Sequence, residues 1–131
     1  MESQQTNHFL AKLANASKEQ LEGYCCNKNA IIANTAAKQP IFTEEEINNL
    51  YKKYGDKIAI GIADNPHASP FLLEQLSHIN NANIKAQIAS NPNTHPKTLA
   101  KMARCSDDLE VLTNIANNPN TPEKILKEIL S

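Results

Sequence analysis

One phrase occurs three times in this chain: Ile62-Ala63-Asp64-Asn65-Pro66, Ile88-Ala89-Ser90-Asn91-Pro92 and Ile115-Ala116-Asn117-Asn118-Pro119. A leucine- or isoleucine-rich stretch follows each copy after a short gap, and a second proline opens it: Pro70, Pro96 and Pro122. The copies recur about every 26 residues. Repeats of this length are typical of stacked solenoids, because one unit is too small to bury its own apolar face. The sequence therefore predicts a repeat architecture.

The Asn-Pro step in each copy predicts the end of a helix. A residue that precedes proline is pushed out of the α region, so Asn65, Asn91 and Asn118 should each follow a short helix. Asparagine suits this place because it tolerates a left-handed backbone and its amide bonds to nearby main-chain groups. We expect these amides to be used inside the protein, although they could instead be presented to a bound peptide.

The second proline predicts a helix start. Its fixed φ and missing N–H are harmless at the first helical position, where the backbone amide has no intrahelical acceptor. Ser69 and Thr121 precede two of these prolines and are expected to cap the helices. Before Pro96 the cap is either Thr94 or His95. Each repeat is therefore predicted to contain two short helices, and the fold class to be all-α.

The repeats divide the chain unevenly. We predict a single domain over residues 1–131, with three regular repeats at 56–81, 82–106 and 107–131. Residues 1–55 should hold degenerate or capping repeats, since the terminal units of a solenoid are atypical. In this part Ile32-Ala33-Asn34-Thr35 echoes the repeated phrase without its proline. Further on, Thr43-Glu44-Glu45-Glu46 predicts a capping box at a helix start.

The pattern Ile-Ala-x-Asn-Pro, a short gap, proline and a leucine-rich helix resembles the leucine-rich repeat variant family. The resemblance covers residues 56–131 and implies helix pairs stacked in a short right-handed superhelix. The stacking is similar in style to HEAT and armadillo repeats. Founding members of the family also carry a cysteine cluster for an iron–sulfur centre, which this chain does not reproduce. The resemblance thus implies a repeat scaffold without that cofactor.

Composition narrows the classes of partner. The chain has 13 Lys and Arg against 14 Asp and Glu, for a formal net charge of −1, and Arg104 is its one arginine. Phosphate binding needs a basic stripe, so nucleic acid is an unlikely partner, despite a modest basic cluster at Lys85, Lys97, Lys101 and Arg104. No apolar run reaches the roughly 18 residues of a membrane helix, and no signal peptide is evident. We therefore expect no membrane insertion and a location in the cytoplasm of a bacterial cell, with delivery into a host cell left open.

The reactive side chains do not assemble a recognisable active site in the sequence. Cys25 and Cys26 are adjacent, and neighbouring residues of a helix point roughly 100° apart, which is unsuited to joint binding of one ion. Cys105 is expected to be a small core or boundary residue. His67 and His95 occupy similar places in successive repeats and could form a ladder along one face. We expect no enzymatic activity, no cofactor and no metal site.

The preferred function is a non-enzymatic protein–protein interaction module, a scaffold or adaptor that binds a protein or peptide through its surface. The alternative is a redox or metal-binding protein of the iron–sulfur type that uses Cys25 and Cys26. The last predicted helix carries four large aliphatic residues: Ile125, Leu126, Ile129 and Leu130. Either part of this surface is open to a second copy of the chain or to another protein, or all four side chains pack on the preceding repeat.

Overall fold

The computed structural model describes residues 11–131, and within this range every regular element is helical. This confirms the all-α fold class. Residues 11–13 are helical, and nine α-helices follow: α1 (Lys18–Tyr24), α2 (Ala30–Ala37), α3 (Glu44–Tyr54), α4 (Ala59–Ala63), α5 (Pro70–Leu76), α6 (Ala82–Ser90), α7 (Pro96–Cys105), α8 (Leu109–Asn117) and α9 (Glu123–Leu130). A 3₁₀ helix at Gly55–Ile58 leads into α4. None of the helices in residues 11–131 is both long and apolar enough to cross a bilayer.

The chain divides into two compact units, the first extending to His67 and the second covering Ala68–Ser131. The boundary lies inside the predicted repeat at 56–81, between α4 and α5. The prediction of one domain over residues 1–131 stays a prediction.

Proline opens two helices of the second unit, as the sequence predicts. Pro70 and Pro96 occupy the first position of α5 and α7. Pro122 differs, because α9 begins at Glu123 and Pro122 stands at its N-cap. The gap after Pro119 is one residue shorter than the gaps in the other copies, so proline moves one position outward. The helix itself still starts four residues after the Asn-Pro proline.

The residues that cap these helices also differ between the repeats. Ser69 Oγ accepts the backbone N–H of Leu72 at 3.0 Å, and His95 Nδ1 accepts that of Lys97 at 3.0 Å. His95 is therefore the cap of α7. The prediction that Thr121 caps α9 is wrong, since its hydroxyl instead donates to the carbonyl of Ile115 at 2.6 Å. Thr121 lies one residue too early to cap a helix that starts at Glu123.

The N-cap residues of alternate helices, from α1 to α9, recur at a regular interval. The five N-cap residues are separated by 26 or 27 positions: Ser17, Thr43, Ser69, His95 and Pro122. Ser17 and Thr43 each form a complete capping box with the residue three positions later. Reciprocal bonds of this kind satisfy amide groups that the first turn of a helix leaves open. The two units therefore share the interval between N-cap residues, while the complete capping boxes at these N-caps belong to the first unit.

In the first unit α1 packs on α2, and α2 packs on α4 and on the 3₁₀ helix before it. The approach of α2 to α4 is close, because a Cβ at Gly61 would overlap the backbone carbonyl oxygen of Asn34. The Gly61 N–H donates to Asn34 Oδ1 at 2.8 Å. Glycine therefore serves here to let two helices approach, at a place where a side chain would separate them.

In the second unit α8 packs on α6, and α9 packs on both α7 and α8. The core is aliphatic, and its fully buried side chains come from every helix of this unit: Leu73, Leu76, Ile88, Leu99, Val111, Ile115 and Ile125. Burying such a side chain contributes about 1.5–3 kcal/mol. Ala89, in the repeated phrase, is also completely buried, which matches a close approach between helices.

Candidate functional site

Buried asparagine side chains join neighbouring turns inside the second unit. Asn118 Nδ2 donates to the carbonyls of Ala89 at 2.8 Å and Asn91 at 3.0 Å. Its Oδ1 accepts the backbone N–H of Asn120 at 2.9 Å. One side chain thus fixes its own turn and bonds to the turn of the preceding repeat. A buried amide is stable only when such partners are present.

The first unit contains the same arrangement. Asn65 Nδ2 donates to the carbonyls of Ala37 at 2.8 Å and Gln39 at 3.0 Å, and its Oδ1 accepts the His67 N–H at 2.9 Å. In the second unit, Asn91 Oδ1 likewise accepts the backbone N–H of Asn93. These hydrogen bonds use the asparagine side chains inside the protein, which leaves them poorly placed to read a peptide.

The repeated asparagines do not use their tolerance of a left-handed backbone, so that part of the explanation for asparagine is wrong. Asn91 and Asn118 have extended backbones with φ of −76° and −78°, and no residue other than glycine has a positive φ in residues 11–131. The following proline favours this extended conformation. Asparagine is therefore used for its side-chain amide, and its tolerance of the left-handed region is not needed.

The side chains two residues after the repeated asparagines make a second set of hydrogen bonds, each within its own unit. His67 Nδ1 lies 2.9 Å from the carbonyl oxygen of Phe42, and since a carbonyl only accepts, Nδ1 carries the proton. The side chains two residues after the next asparagines make matching bonds, from Asn93 to Ala68 and from Asn120 to Thr94, each at 3.1 Å.

His67 therefore corresponds to Asn93 and Asn120, whereas His95 corresponds to Ser69 as a helix cap. His67 and His95 are both exposed, and the possibility that they form a ladder is wrong. The two histidines stand two positions apart in the repeat and make different hydrogen bonds.

These bonds also correct the register of the degenerate repeat in the first unit. Ala37 and Gln39 accept from Asn65 as Ala89 and Asn91 accept from Asn118. The counterpart of the repeated phrase is therefore the segment 36–40, and its proline is Pro40. The expected echo at residues 32–35 lies four residues too early. Pro40 stands four residues before the start of α3, and this spacing in the sequence indicates that Pro40 is the proline of the degenerate repeat.

The adjacent cysteines have different surroundings. Cys25 is fully buried and its thiol donates to the Leu21 carbonyl at 3.4 Å. Burial, with the nearby charge of Glu22 and the thiol of Cys26, raises the pKa of Cys25 to about 11. At neutral pH it is a protonated thiol, which is a poor nucleophile and a poor ligand. Cys26 is exposed and donates to the carbonyl of Gly23 at 3.0 Å.

Two further observations concern the reactive side chains. Cys105 ends α7 and is exposed, so of the two expected places, core or boundary, the core is wrong. Among residues 11–131, no group of three or more histidine, cysteine or acidic side chains is arranged to hold a metal ion. The described part of the chain thus offers no ready set of ligands around Cys25 and Cys26.

The second unit has an open groove of about 310 Å³ at the C-terminal ends of α5 and α7. It is lined by Ser77, His78, Lys85, Lys101, Met102, Cys105 and Ser106. His78 Nε2 lies 2.9 Å from Glu74 Oε1, whereas Lys85 and Lys101 form no ion pair with any residue in the range 11–131. The groove thus joins two available ammonium groups to an apolar wall at Met102.

The last helix leaves part of its apolar surface uncovered. Ile125 is buried, Leu126 and Ile129 are half-buried, and Leu130 is 79% exposed. The alternative in which all four side chains pack on the preceding repeat is wrong for Leu130. A homodimer through this helix stays a prediction.

Comparisons with known proteins find no match for this chain: no family model matches it, and neither does any curated protein or solved structure. The resemblance to leucine-rich repeat variants therefore depends on the repeated phrase itself and stays a prediction.

Proposed function

We propose that the chain forms a short right-handed α-solenoid of helix-pair repeats of about 26 residues, of the leucine-rich repeat variant type. The proposal is supported by the regular interval between N-cap residues in both units. It is also supported by the matching bonds of Asn65 and Asn118 to carbonyls of the preceding turn. Contacts of this nearest-neighbour kind are typical of repeat proteins, in which each unit stabilises the next.

We further propose that this solenoid is a non-enzymatic protein–protein interaction scaffold or adaptor of the bacterial cytoplasm. The observation that carries the proposal is the internal use of the buried asparagines, because it makes the repeats a rigid frame held by its own side chains. The outer helix faces then remain available to a partner. Extended surfaces of this kind are what helical-repeat proteins use for binding.

The groove beside α5 and α7 is the best candidate for a peptide contact within the second unit. Lys85 and Lys101 supply positive charge, and no acidic side chain lines the groove. Met102, which is 6% exposed, contributes an apolar side chain to the wall of the groove. This combination favours a protein segment that carries both acidic and apolar residues.

The test is affinity capture with the folded protein from an extract of the organism that encodes it, followed by titration of the captured protein. A double variant, Lys85→Glu with Lys101→Glu, should weaken binding about tenfold or more, since two attractions become repulsions. The matched control, Lys28→Glu with Lys52→Glu, makes the same charge change on exposed residues of the first unit. Equal binding by both double variants would exclude the groove, and absence of any saturable partner would contradict the scaffold.

The alternative function, redox or metal chemistry at Cys25 and Cys26, has a separate test. Near-stoichiometric iron or zinc in the purified protein would support it and displace the scaffold proposal. The raised pKa of Cys25 leads us to expect that an alkylating reagent modifies Cys26 well before Cys25 at pH 8. Equal rates for the two thiols would show that Cys25 is accessible and ionised.

A further inference from the structure

Helices α5, α7 and α9 can be compared position by position, because each follows an N-cap at a regular interval. Leu126 in α9 then corresponds to Leu73 in α5 and Leu99 in α7. Ile129 corresponds in the same way to Leu76 and Met102. The three helices thus carry large apolar side chains at the same two positions.

The burial of these positions differs between the helices. Leu73, Leu99 and Leu76 are 0% exposed and Met102 is 6% exposed. Their counterparts Leu126 and Ile129 are only half-buried. Chemistry cannot explain this difference, because the side chains are equally apolar. The difference lies in how far they are covered, because the residues of the described range cover this side of α9 only in part.

The helix before α9 shows the same difference. Ala63 and Ala89 end the repeated Ile-Ala pair and are completely buried, whereas Ala116 at the same place in α8 is half-buried. Both helices of the last repeat are therefore less covered than their counterparts. The surface that remains is apolar along α9, where Leu130 adds a side chain that is 79% exposed.

The polar residues beside this stripe carry balanced charge. α9 contains two acidic and two basic side chains: Glu123, Lys124, Lys127 and Glu128. Lys127 pairs with Glu123 at 3.7 Å, and Arg104 of α7 pairs with Glu128 at 3.6 Å. A face without net charge can meet an identical face without repulsion, which a two-fold symmetric contact requires.

We infer that the stripe formed by Leu126, Ile129 and Leu130 is the contact between two copies of this chain. The two α9 helices pack against each other about a two-fold axis, and each supplies the apolar cover that α7 obtains within its own chain. This inference rests on the proposed repeat arrangement, because the correspondence of positions is what identifies the missing cover.

The experiment is sedimentation velocity of the chain at increasing concentration up to about 500 µM, a range that detects weak dimers. The intact protein should shift from monomer to dimer. Leu130→Lys should raise the dimer dissociation constant about tenfold or more, because it places an ammonium group in the apolar contact. Leu109→Lys is the matched control, since Leu109 is also 79% exposed but begins α8. It should dimerise like the intact protein.

Circular dichroism of both variants checks that each is folded, and Leu130→Ser repeats the test without introducing a charge. A monomeric intact protein at every concentration would overturn the inference, as would a dimer that Leu130→Lys and Leu130→Ser both leave unchanged. Capture of a groove-dependent partner by a monomeric protein would remove the dimer and leave the scaffold proposal standing. A dimer that captures no partner would support the dimer contact and contradict the scaffold proposal.

Discussion

The turn at residues 37–43 in the first unit and the turn at 89–95 in the second make the same contacts with different residues. In each, the carbonyls of two residues accept one asparagine amide, at 2.8 Å and 3.0 Å. The acceptors are Ala37 and Gln39 in one turn, and Ala89 and Asn91 in the other. The geometry is the same although the first turn lacks the Asn-Pro pair.

The comparison shows which partner in the hydrogen bond needs a particular side chain. The donors Asn65 and Asn118 need one, because only a short amide both reaches the carbonyls and bonds to its own turn. The acceptors contribute backbone oxygen, which every residue has. A repeat that only accepts therefore does not need the signature sequence to form these bonds, as residues 36–40 show.

The largest expected effect tests the close approach of α2 and α4 at Gly61 in the first unit. Gly61→Ala places a Cβ against the backbone of Asn34, and a backbone group cannot rotate away. We expect about 3 kcal/mol of lost stability, at the upper end for overpacking, even though alanine is the better helix former. Gln87→Ala at the corresponding place in α6 should stay within about 0.5 kcal/mol. Urea denaturation of the two variants measures both values.

A stable Gly61→Ala variant would mean that α2 and α4 do not approach as closely as described. It would also remove the reason for glycine at this one copy of the repeat.

The next prediction compares the loss of stability at a position that donates the side-chain hydrogen bonds with the loss at a position that accepts them. Asn118→Ala removes an amide that serves two buried carbonyls and one backbone N–H, so we expect a loss of about 2 kcal/mol. Gln39→Ala keeps its backbone carbonyl and loses only a bond from Nε2 to Thr35, for about 0.5 kcal/mol. Chemical denaturation at one pH compares them. Losses of equal size would contradict the distinction between donor and acceptor positions.

A smaller effect concerns a bond that the first unit does not need. The hydroxyl of Thr94 donates to the Ile88 carbonyl at 2.6 Å in a buried place, where the first unit has Phe42. Thr94→Val keeps the shape and removes the donor, so we expect about 1 kcal/mol of lost stability. Thr113→Val makes the same change at an exposed hydroxyl on α8, and its effect should be close to zero. Thermal denaturation of both variants would show whether the buried bond matters.

The sequence predicted the features that depend on local chemistry. Pro70 and Pro96 opened helices because proline fits the first helical position, and Thr43 capped α3 through a pattern visible in four residues. It failed at Pro122, because proline is tolerated one position earlier as well. Local chemistry does not distinguish those two positions.

The bonds between repeats were harder to predict. The hydrogen bonds of His67, Asn93 and Asn120 depend on which carbonyls the preceding turn brings within reach, and no short pattern specifies that. The uncovered stripe on α9 was predicted in part, from its four aliphatic residues. Its extent required the burial of Leu73 and Leu99 for comparison.

The smallest expected effect comes from removing proline at the first helical position in the second unit and introducing it at that position in the first. Pro96→Ala should destabilise the protein by about 0.4–1 kcal/mol, because alanine restores freedom to the unfolded chain. Glu44 holds the same position in α3, after a cap whose extended backbone, with ψ of 167°, suits a following proline. Glu44→Pro should therefore be neutral or stabilising by up to about 0.5 kcal/mol, since the entropy gained is partly offset by a lost charge at the helix N-terminus. Denaturation at low and high salt separates these two contributions, because only the charge effect is screened. A loss of more than about 1.5 kcal/mol for Glu44→Pro would place Glu44 inside the helix, and the two units would then not share one helix register.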